Sequence, residues 1–556
     1  MEIRKAITQM LSELGITDVH FSVEHPADPA HGEYASNVAM VCAKNLEKNP
    51  REVAGEFQAA LEGKIPHVSL IEIAGPGFIN FRLTRDFFSE KIACAHSSPE
   101  TWGTNDSLKG EEIIFEYTSP NLFKPLHVGN LVGNIVGESL SRLLENSGAL
   151  VRRVNYPSDI GLTVAKGVWG LMHTKGNPQD INQIGEAYRA GNELYENGEG
   201  KEEIEAVNRA LYRGDDESLN TLRAQGIATS RARLAELCRL LGTKFDTEIF
   251  ESEVGERGTQ IVKEHIGDVF EESNGAVIFR GERHGLHTRV FLNSQGLPTY
   301  EAKDLGNFAK KLDVYPTWTQ SYVVTGGEQR EYFKVLVSAL REVFPDTKGR
   351  VIAHIPTGFL TLTTGKMSSR KGNVLTGESL IAEVQEEARH KAEESRADDI
   401  EALTENVAVG ALKYQILRQS VGSDIVFDKT RALSLEGDSG PYLQYAHARI
   451  TSILEKARAQ SFTPSAEHPP ENPYPLEKVL YRFPEVIRLA QTDLSPHHLV
   501  VYLTELASAF NSFYAQETII DTNDEYTPYK LALTSAVRET LNRGLYLLGI
   551  IAPKYM

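Results

Sequence analysis

The sequence predicts an α/β core, a parallel sheet with a helical insertion, between a small N-terminal α+β domain and an all-α C-terminal helix bundle. Three observations carry this. EEIIFEYTS is an apolar, aromatic-rich strand that runs through a glycine-bearing turn, PNLFKPLHVGN, into a long helix ending at Gly148, the phosphate-facing unit of a parallel sheet. Strand signals return at AVIFR, TRVFLNS, SYVVTGG and RVIAHI, with helical stretches between them. From about residue 426 the chain is almost continuously helical, and its segments carry apolar stripes.

The elements follow in chain order. Ile3, Ile7, Met10, Leu11 and Leu14 recur at helical spacing and predict an opening amphipathic helix. The helix of NPREVAGEFQAAL and the strands of IEIAGPGFINFRL, turned at Gly-Pro-Gly, complete a domain over 1–105 that ends in the polar stretch GTNDSLKG. The core spans 106–425, and its charged helical segment, about 165–245, is the insertion. The bundle spans 426–556, with helices in GPYLQYAHARITSILEKA, HHLVVYLTELASAFNSFYAQ and KLALTSAVRETLNRGLYLLGI and a Pro-rich loop, FTPSAEHPPENPYP.

Composition narrows the function. A net charge of -18 argues against a protein that coats nucleic acid or anionic membrane by bulk electrostatics, so any RNA contact must use local basic patches. Cys42, Cys94 and Cys238 are scattered without a CxxC, which supports neither a disulfide framework nor a cysteine zinc site and fits a reducing cytoplasm. No run reaches transmembrane length, so no membrane partner is expected.

Two short motifs carry chemistry. In FKPLHVGN, 123–130, His127 stands where strand becomes helix, and Gly129 lets a nucleotide approach a backbone whose free N–H groups and helix dipole favour phosphate. Gly129, Gly133 and Gly137 leave one bare helix face for packing or ligand approach. In KMSSRKGN, 366–373, Lys366, Arg370 and Lys371 share a Ser/Gly-rich loop with Ser368, suited to a transferring polyphosphate. A P-loop is excluded, because Gly358 lies too far before Gly365-Lys366 and Met367 holds the Ser/Thr position. Taken singly, either motif also reads as an ordinary turn or a solvated basic loop.

HVGN resembles the HIGH signature and KMSSRKGN the KMSKS signature of class I aminoacyl-tRNA synthetases. SPNLFKPLHVGN, LPTYEAKDLGN, YVVTGGEQ, TTGKMSSRKGN, RETLNRGLYLLGI and the final methionine are similar to the arginyl-tRNA synthetases, over essentially the whole chain. GEYASNVAM and AGPGFINF are similar to that family's extra N-terminal domain. The resemblance implies a Rossmann-like catalytic sheet and an arginine-tRNA ligase that uses ATP with Mg²⁺, without a protein-bound structural metal. The product forms on the terminal ribose of tRNA(Arg), and activation itself needs tRNA.

By the same resemblance Lys124, His127, Asn130 and Lys366 serve catalysis, and His127, Gly129, Asn130, Lys366, Ser368, Arg370 and Lys371 bind ATP. Ser119, Asn121 and Gln329 hold the amino acid's α-groups, while Glu251, Tyr300 and Asp304 take the guanidinium. Independently, a planar cation with five N–H donors calls for carboxylates and an aromatic wall, and Tyr300 and Asp304 lie one helical turn apart. Glu251 also fits a solvated acidic face.

The family pattern is departed from twice. Asn130 replaces the second histidine of HIGH, and Ser369 the second lysine of KMSKS. Lys124 either restores the missing charge or is a solvent lysine. The C-terminal segment is expected to grip the anticodon arm, 1–105 to touch another part of the tRNA, and the chain to be a monomer. Other readings are a different class I synthetase, an inactive RNA-binding paralogue and a small-molecule adenylyltransferase. Paired carboxylates around a tyrosine do not suit a lysine, cysteine or methionine pocket, pyrophosphate exchange separates the second, and the third has no use for a large helical domain.

Overall fold

Continuous apolar runs make central parallel strands, and Glu112–Glu116 is buried along its whole length. The computed structural model describes residues 2–363, 376–392 and 399–556. Its five-stranded sheet has the order Val351–Thr357, Gln320–Gly326, Glu112–Glu116, Leu150–Asn155, Thr247–Glu248, parallel throughout. The helix expected after FKPLHVGN spans Val128–Asn146, with Ser147 at its C-cap and Gly148 at φ +92° beyond. Of its glycine stripe, Gly137 serves packing, because a Cβ there would stand 2.3 Å from the Tyr117 ring. The charged insertion is four helices, Leu162–Thr174, Ile181–Glu196, Lys201–Arg213 and Glu217–Leu240.

Two expected strands of the parallel sheet go elsewhere. Ala276–Phe279 and Arg289–Leu292 pair antiparallel with each other, and Glu271–Ser273 completes a separate three-stranded sheet. Only the short turn around Gly281–His284 joins them, whereas a parallel crossover takes a dozen residues or more.

Compactness divides the chain into two units. One comprises Gly103–Arg449, Pro484–Thr504 and Leu541–Met556, and so contains the parallel sheet. Within it the chain's last turns meet the helix Val128–Asn146, where Ser139 Oγ donates to Leu547 O at 3.0 Å and Arg142 to Tyr546 O at 2.8 Å. Lys413, fully buried, donates to the carbonyls of Leu241 and Gly549 at 2.6 and 2.5 Å.

The other unit comprises Met1–Trp102, Ile450–Phe483 and Glu505–Thr540. Its four-stranded antiparallel sheet runs Val23–Glu24, Tyr34–Ser36, Phe78–Leu83, Val68–Ala74, with the last two joined by the expected Gly-Pro-Gly turn. Helix Glu2–Glu13 buries Ile3, Ile7, Met10 and Leu11, while Leu14, past its end, is exposed. Arg85 is bidentate to buried Glu477 at 2.9 and 3.2 Å and also donates to Tyr529. Phe510 and Phe513 are buried, and Tyr514 is partly exposed. No helix among the described residues is long and apolar enough to cross a membrane.

Candidate active site at the C-terminal edge of the sheet

In a parallel sheet the crevice outside the carboxyl ends of the strands is the ligand edge. Here the expected site residues that lie among the described residues stand along it. Ser119, Asn121, Lys124 and His127 follow Glu112–Glu116, Glu251 follows Thr247–Glu248, and Gln329 closes the turn after Gln320–Gly326. Helix Tyr300–Val314 begins with Tyr300 and carries Asp304 in its second turn.

The turn into helix Val128–Asn146 is strained and heavily braced. Thr118, Ser119 and Phe123 have φ of 75°, 40° and 64°, a region that L-residues avoid, above all β-branched ones. Asn130 Nδ2 donates to Thr118 O at 2.7 Å and Asn134 Nδ2 to Thr118 Oγ1 at 2.9 Å, while Asn155 Oδ1 accepts from Ser119 N at 3.1 Å. Asn130 thus spends a donor on the turn that carries the site. Phe123, fully buried, fills space that side chains at Gly167 and Gly226 would claim, their Cβ atoms falling 2.7 and 2.2 Å from its ring. The insertion helices therefore clamp the turn.

His127 is the N-cap, and its Nδ1 accepts from Gly129 N at 3.1 Å. A backbone N–H can only donate, so Nδ1 carries no proton and the neutral ring's hydrogen sits on Nε2. Loss of hydration, then nearby Lys124, hold the imidazole below its ordinary pKa against the pull of Glu328. His127 therefore offers a neutral donor. Lys124 is half-buried, its ammonium 5.8 Å from the Tyr188 ring, and burial followed by Lys166 lowers its pKa. Thr376 forms a bridge with His127, and Gly377 N donates to Leu126 O at 2.7 Å. The sequence between this anchor and Thr363 includes Lys366, Ser368, Arg370 and Lys371, which lie outside the described residues.

The side of the edge formed by helices Glu251–Glu264 and Tyr300–Val314 holds a set of carboxyl groups and cations. Glu251 is ion-paired at 2.7 Å with buried Lys303, whose ammonium also lies 5.4 Å from the Tyr300 ring. One oxygen of Glu251 is thus engaged by the chain's own lysine. Burial opposes charge on Lys303, yet Glu251 and Tyr212 hold its pKa above the usual lysine value. Glu116 accepts from Lys311 at 2.8 Å and Asn307 at 3.0 Å. Asp159 pairs with Arg223 at 2.6 Å, and Glu301 with Arg289 at 3.2 Å.

Asp304 differs: it is half-buried, accepts from the Tyr332 hydroxyl at 2.5 Å, and has no ion-pair partner among the described residues. Loss of hydration pushes its pKa up to about 8, with Glu116 and Glu251 adding to the rise and Tyr332 and Lys311 opposing it. Of the five carboxyl groups Asp304 is the one without a cationic partner among the described residues. Tyr300 is exposed beside it.

Sequence reasoning passed over Lys303, Tyr332 and Tyr156. Lys303 stands between Tyr300 and Asp304 in TYEAKD, where its i+3 spacing from Tyr300 was the available signal. Tyr332 and Tyr156 reach the cluster only through the fold. Among the described residues no group of three or more His, Cys, Asp or Glu could hold a metal ion.

Family models match in chain order. An arginyl-tRNA synthetase N-terminal domain matches 1–83, the catalytic domain of class I (R) tRNA synthetases 98–429, and a DALR anticodon-binding domain 443–556. The chain is 31% identical to the arginine–tRNA ligase of Borreliella burgdorferi, covering 99% of this chain and 97% of that protein. It is also 31% identical to that of Limosilactobacillus reuteri, covering 100% and 99%. The arginyl-tRNA synthetase of Thermus thermophilus superposes with a TM-score of 0.79 at 25% identity, covering 100% and 99%. Methionyl-tRNA synthetase of Mycobacterium tuberculosis, TM-score 0.51 at 13% identity over 80% of this chain and 92% of that one, shares the fold alone.

Proposed function

The chain belongs to the arginyl-tRNA synthetase family and is an arginine–tRNA ligase that uses ATP, and from that premise we propose how its residues divide the work. The arginine carboxylate attacks the α-phosphorus of ATP, forming the acyl–phosphate bond as the bond to pyrophosphate breaks. A ribose hydroxyl at the tRNA 3′ end then attacks the acyl carbon, loses its proton, and releases AMP.

The neutral His127 donates through Nε2 to phosphate oxygen, Gly129 keeps the helix N-terminus open, and Lys124 supplies charge. Asn130 acts chiefly by holding Thr118. Lys366, Ser368, Arg370 and Lys371 are assigned to the phosphates by the sequence resemblance. Mg²⁺ enters as part of the nucleotide substrate, held by phosphate oxygens. Ser119, Asn121 and Gln329 take the α-amino and carboxylate groups.

The observation that carries the choice of arginine is the charge set of the pocket. Glu116 and Glu251 each have a lysine, and Asp304 lacks one. A guanidinium supplies the missing cation, with exposed Tyr300 as its aromatic wall and Glu251 lending its remaining oxygen. Segments 1–105 and 426–556 are assigned to tRNA outside the acceptor end. The scheme needs one copy of the chain, so a monomer is expected, at work in the cytoplasm.

Charging of radiolabelled arginine onto total tRNA, with citrulline as competitor, tests the scheme. Wild type charges arginine and ignores citrulline, whereas Asp304→Asn raises the arginine KM strongly and loses part of that discrimination. Unchanged selectivity in the variant removes Asp304 from the pocket.

A further inference from the structure

Tyr156 is the first residue past the strand Leu150–Asn155, and the structure ties it to each part of the amino-acid site. Its backbone N–H donates to Ser119 Oγ at 3.3 Å. The next residues run alongside the Ser119–Asn121 turn, with Ser158 N donating to Pro120 O at 3.0 Å and Leu122 N to Ser158 O at 2.9 Å. On its other side Glu251 N reaches Pro157 O at 3.4 Å. The ring is packed in the core with Tyr332, Ile249 and Ala302.

Its hydroxyl is the anomaly. The oxygen is buried and has no hydrogen-bond partner among the described residues. Burial, then the carboxyl groups of Asp304, Glu251, Glu116 and Asp159, push its pKa up. Asp304 is already bonded to the other tyrosine of the cluster, Tyr332, and Tyr156 is left without an equivalent bond. A buried hydroxyl left unbonded is costly, and a donor brought in from outside the chain would satisfy it. Asp304 acts electrostatically on the Tyr156 hydroxyl, so a cation bound at its carboxyl joins the cluster that contains this hydroxyl.

We propose that Tyr156 is a specificity-determining residue of this ligase, its hydroxyl oxygen accepting one N–H of the substrate guanidinium whose charge Asp304 balances. Carboxylate and hydroxyl then read different N–H groups of one planar fork. The inference rests on the assignment of the Asp304 cluster to arginine. It adds that the pocket counts donors as well as charge.

Tyr156→Phe and Asp304→Asn, made separately in the full chain, test it, with unfolding temperature and arginine affinity measured by calorimetry and KM values by charging of tRNA(Arg). For Tyr156→Phe the unliganded protein is expected to unfold at or above the wild-type temperature, because an unbonded buried hydroxyl has been removed. Its arginine Kd and KM should rise about 5- to 50-fold, while the ATP KM stays at the wild-type value. This opposition of stability and affinity does not arise from a structural tyrosine. If Asp304→Asn weakens arginine and Tyr156→Phe binds it as wild type does, the Tyr156 inference falls and the pocket assignment stands. If Asp304→Asn binds arginine normally, the assignment falls and takes the inference with it. A marked loss of unliganded stability in Tyr156→Phe means that the hydroxyl has a partner within the protein, which also overturns the proposal.

Discussion

Asp304 links the stability of the fold to the chemistry of the site. Its carboxyl titrates near 8 in the folded chain and near 4 once unfolded. As pH rises from 4 to 8 the unfolded chain gives up this proton first, so the group lowers stability progressively and the full cost remains above 8. Asp304→Asn should therefore stabilise the fold more at pH 8.5 than at pH 5, by a difference on the order of a few kcal/mol that appears as a larger rise in unfolding temperature. Melting curves at both pH values, without arginine, check this. Lys124 makes a sharper functional test. Lys124→Ala should slow pre-steady-state adenylate formation by a barrier of about 2 kcal/mol or more while leaving arginine affinity unchanged, whereas a merely solvent-facing lysine would leave the rate untouched. At this scale the sequence was most legible where motif residues lie close along the chain, as with His127 and Gly129. It was least legible where partners are distant, because nothing in TYEAKD announces Tyr332 or that Lys303 will meet Glu251.

Two helices bring the carboxyl cluster together by touching backbone to backbone. Glu251–Glu264 and Tyr300–Val314 meet at Gly258 and Gly306, where added Cβ atoms would stand 1.8 Å from Ala302 O and 2.2 Å from Val254 O. Gly306→Ala should push the helices apart, cost about 1 to 3 kcal/mol, and raise the arginine KM, because Glu251, Lys303 and Asp304 ride on them. Gly255→Ala, on the same helix, is the control. Its Cβ would meet only Pro298 at 3.8 Å, so the gain in helix propensity should leave stability equal or higher. Thermal unfolding of the pair, with KM values, decides the matter. The sequence placed a helical stretch between TRVFLNS and SYVVTGG and read the strands on either side, but it could not tell that Ala276–Phe279 and Arg289–Leu292 belong to a different sheet. An apolar run records burial, not its neighbour.

At the scale of the molecule, the chain's last residues, Leu541–Met556, fall in the same compact unit as the parallel sheet. Sequence reading set 426–556 apart as one bundle, since an apolar stripe shows that a helix is buried without showing against what. In the structure the carbonyls of Gly549, Ile551 and Pro553 serve Lys413, Gln444 and His447. Deleting residues 548–556 should lower the unfolding temperature by several degrees and suppress pyrophosphate exchange, since Lys413 loses a carbonyl it needs in a dry interior. Exchange and melting at wild-type values would show the tail to be dispensable. A chain cut at 425 also loses Tyr546 and Leu547 from the helix that begins behind His127, so its failure to activate arginine would not by itself implicate tRNA.

The ring of Phe123, seated between Gly167 and Gly226, has a historical consequence. None of the three positions can drift alone: a larger residue at either glycine collides with the ring, and a smaller one at 123 opens a void beside the turn into helix Val128–Asn146. Across relatives these sites should be inherited as a linked triplet, changing together or not at all. An alignment deep enough to measure covariation should find that the insertion and the signature turn have evolved as one part.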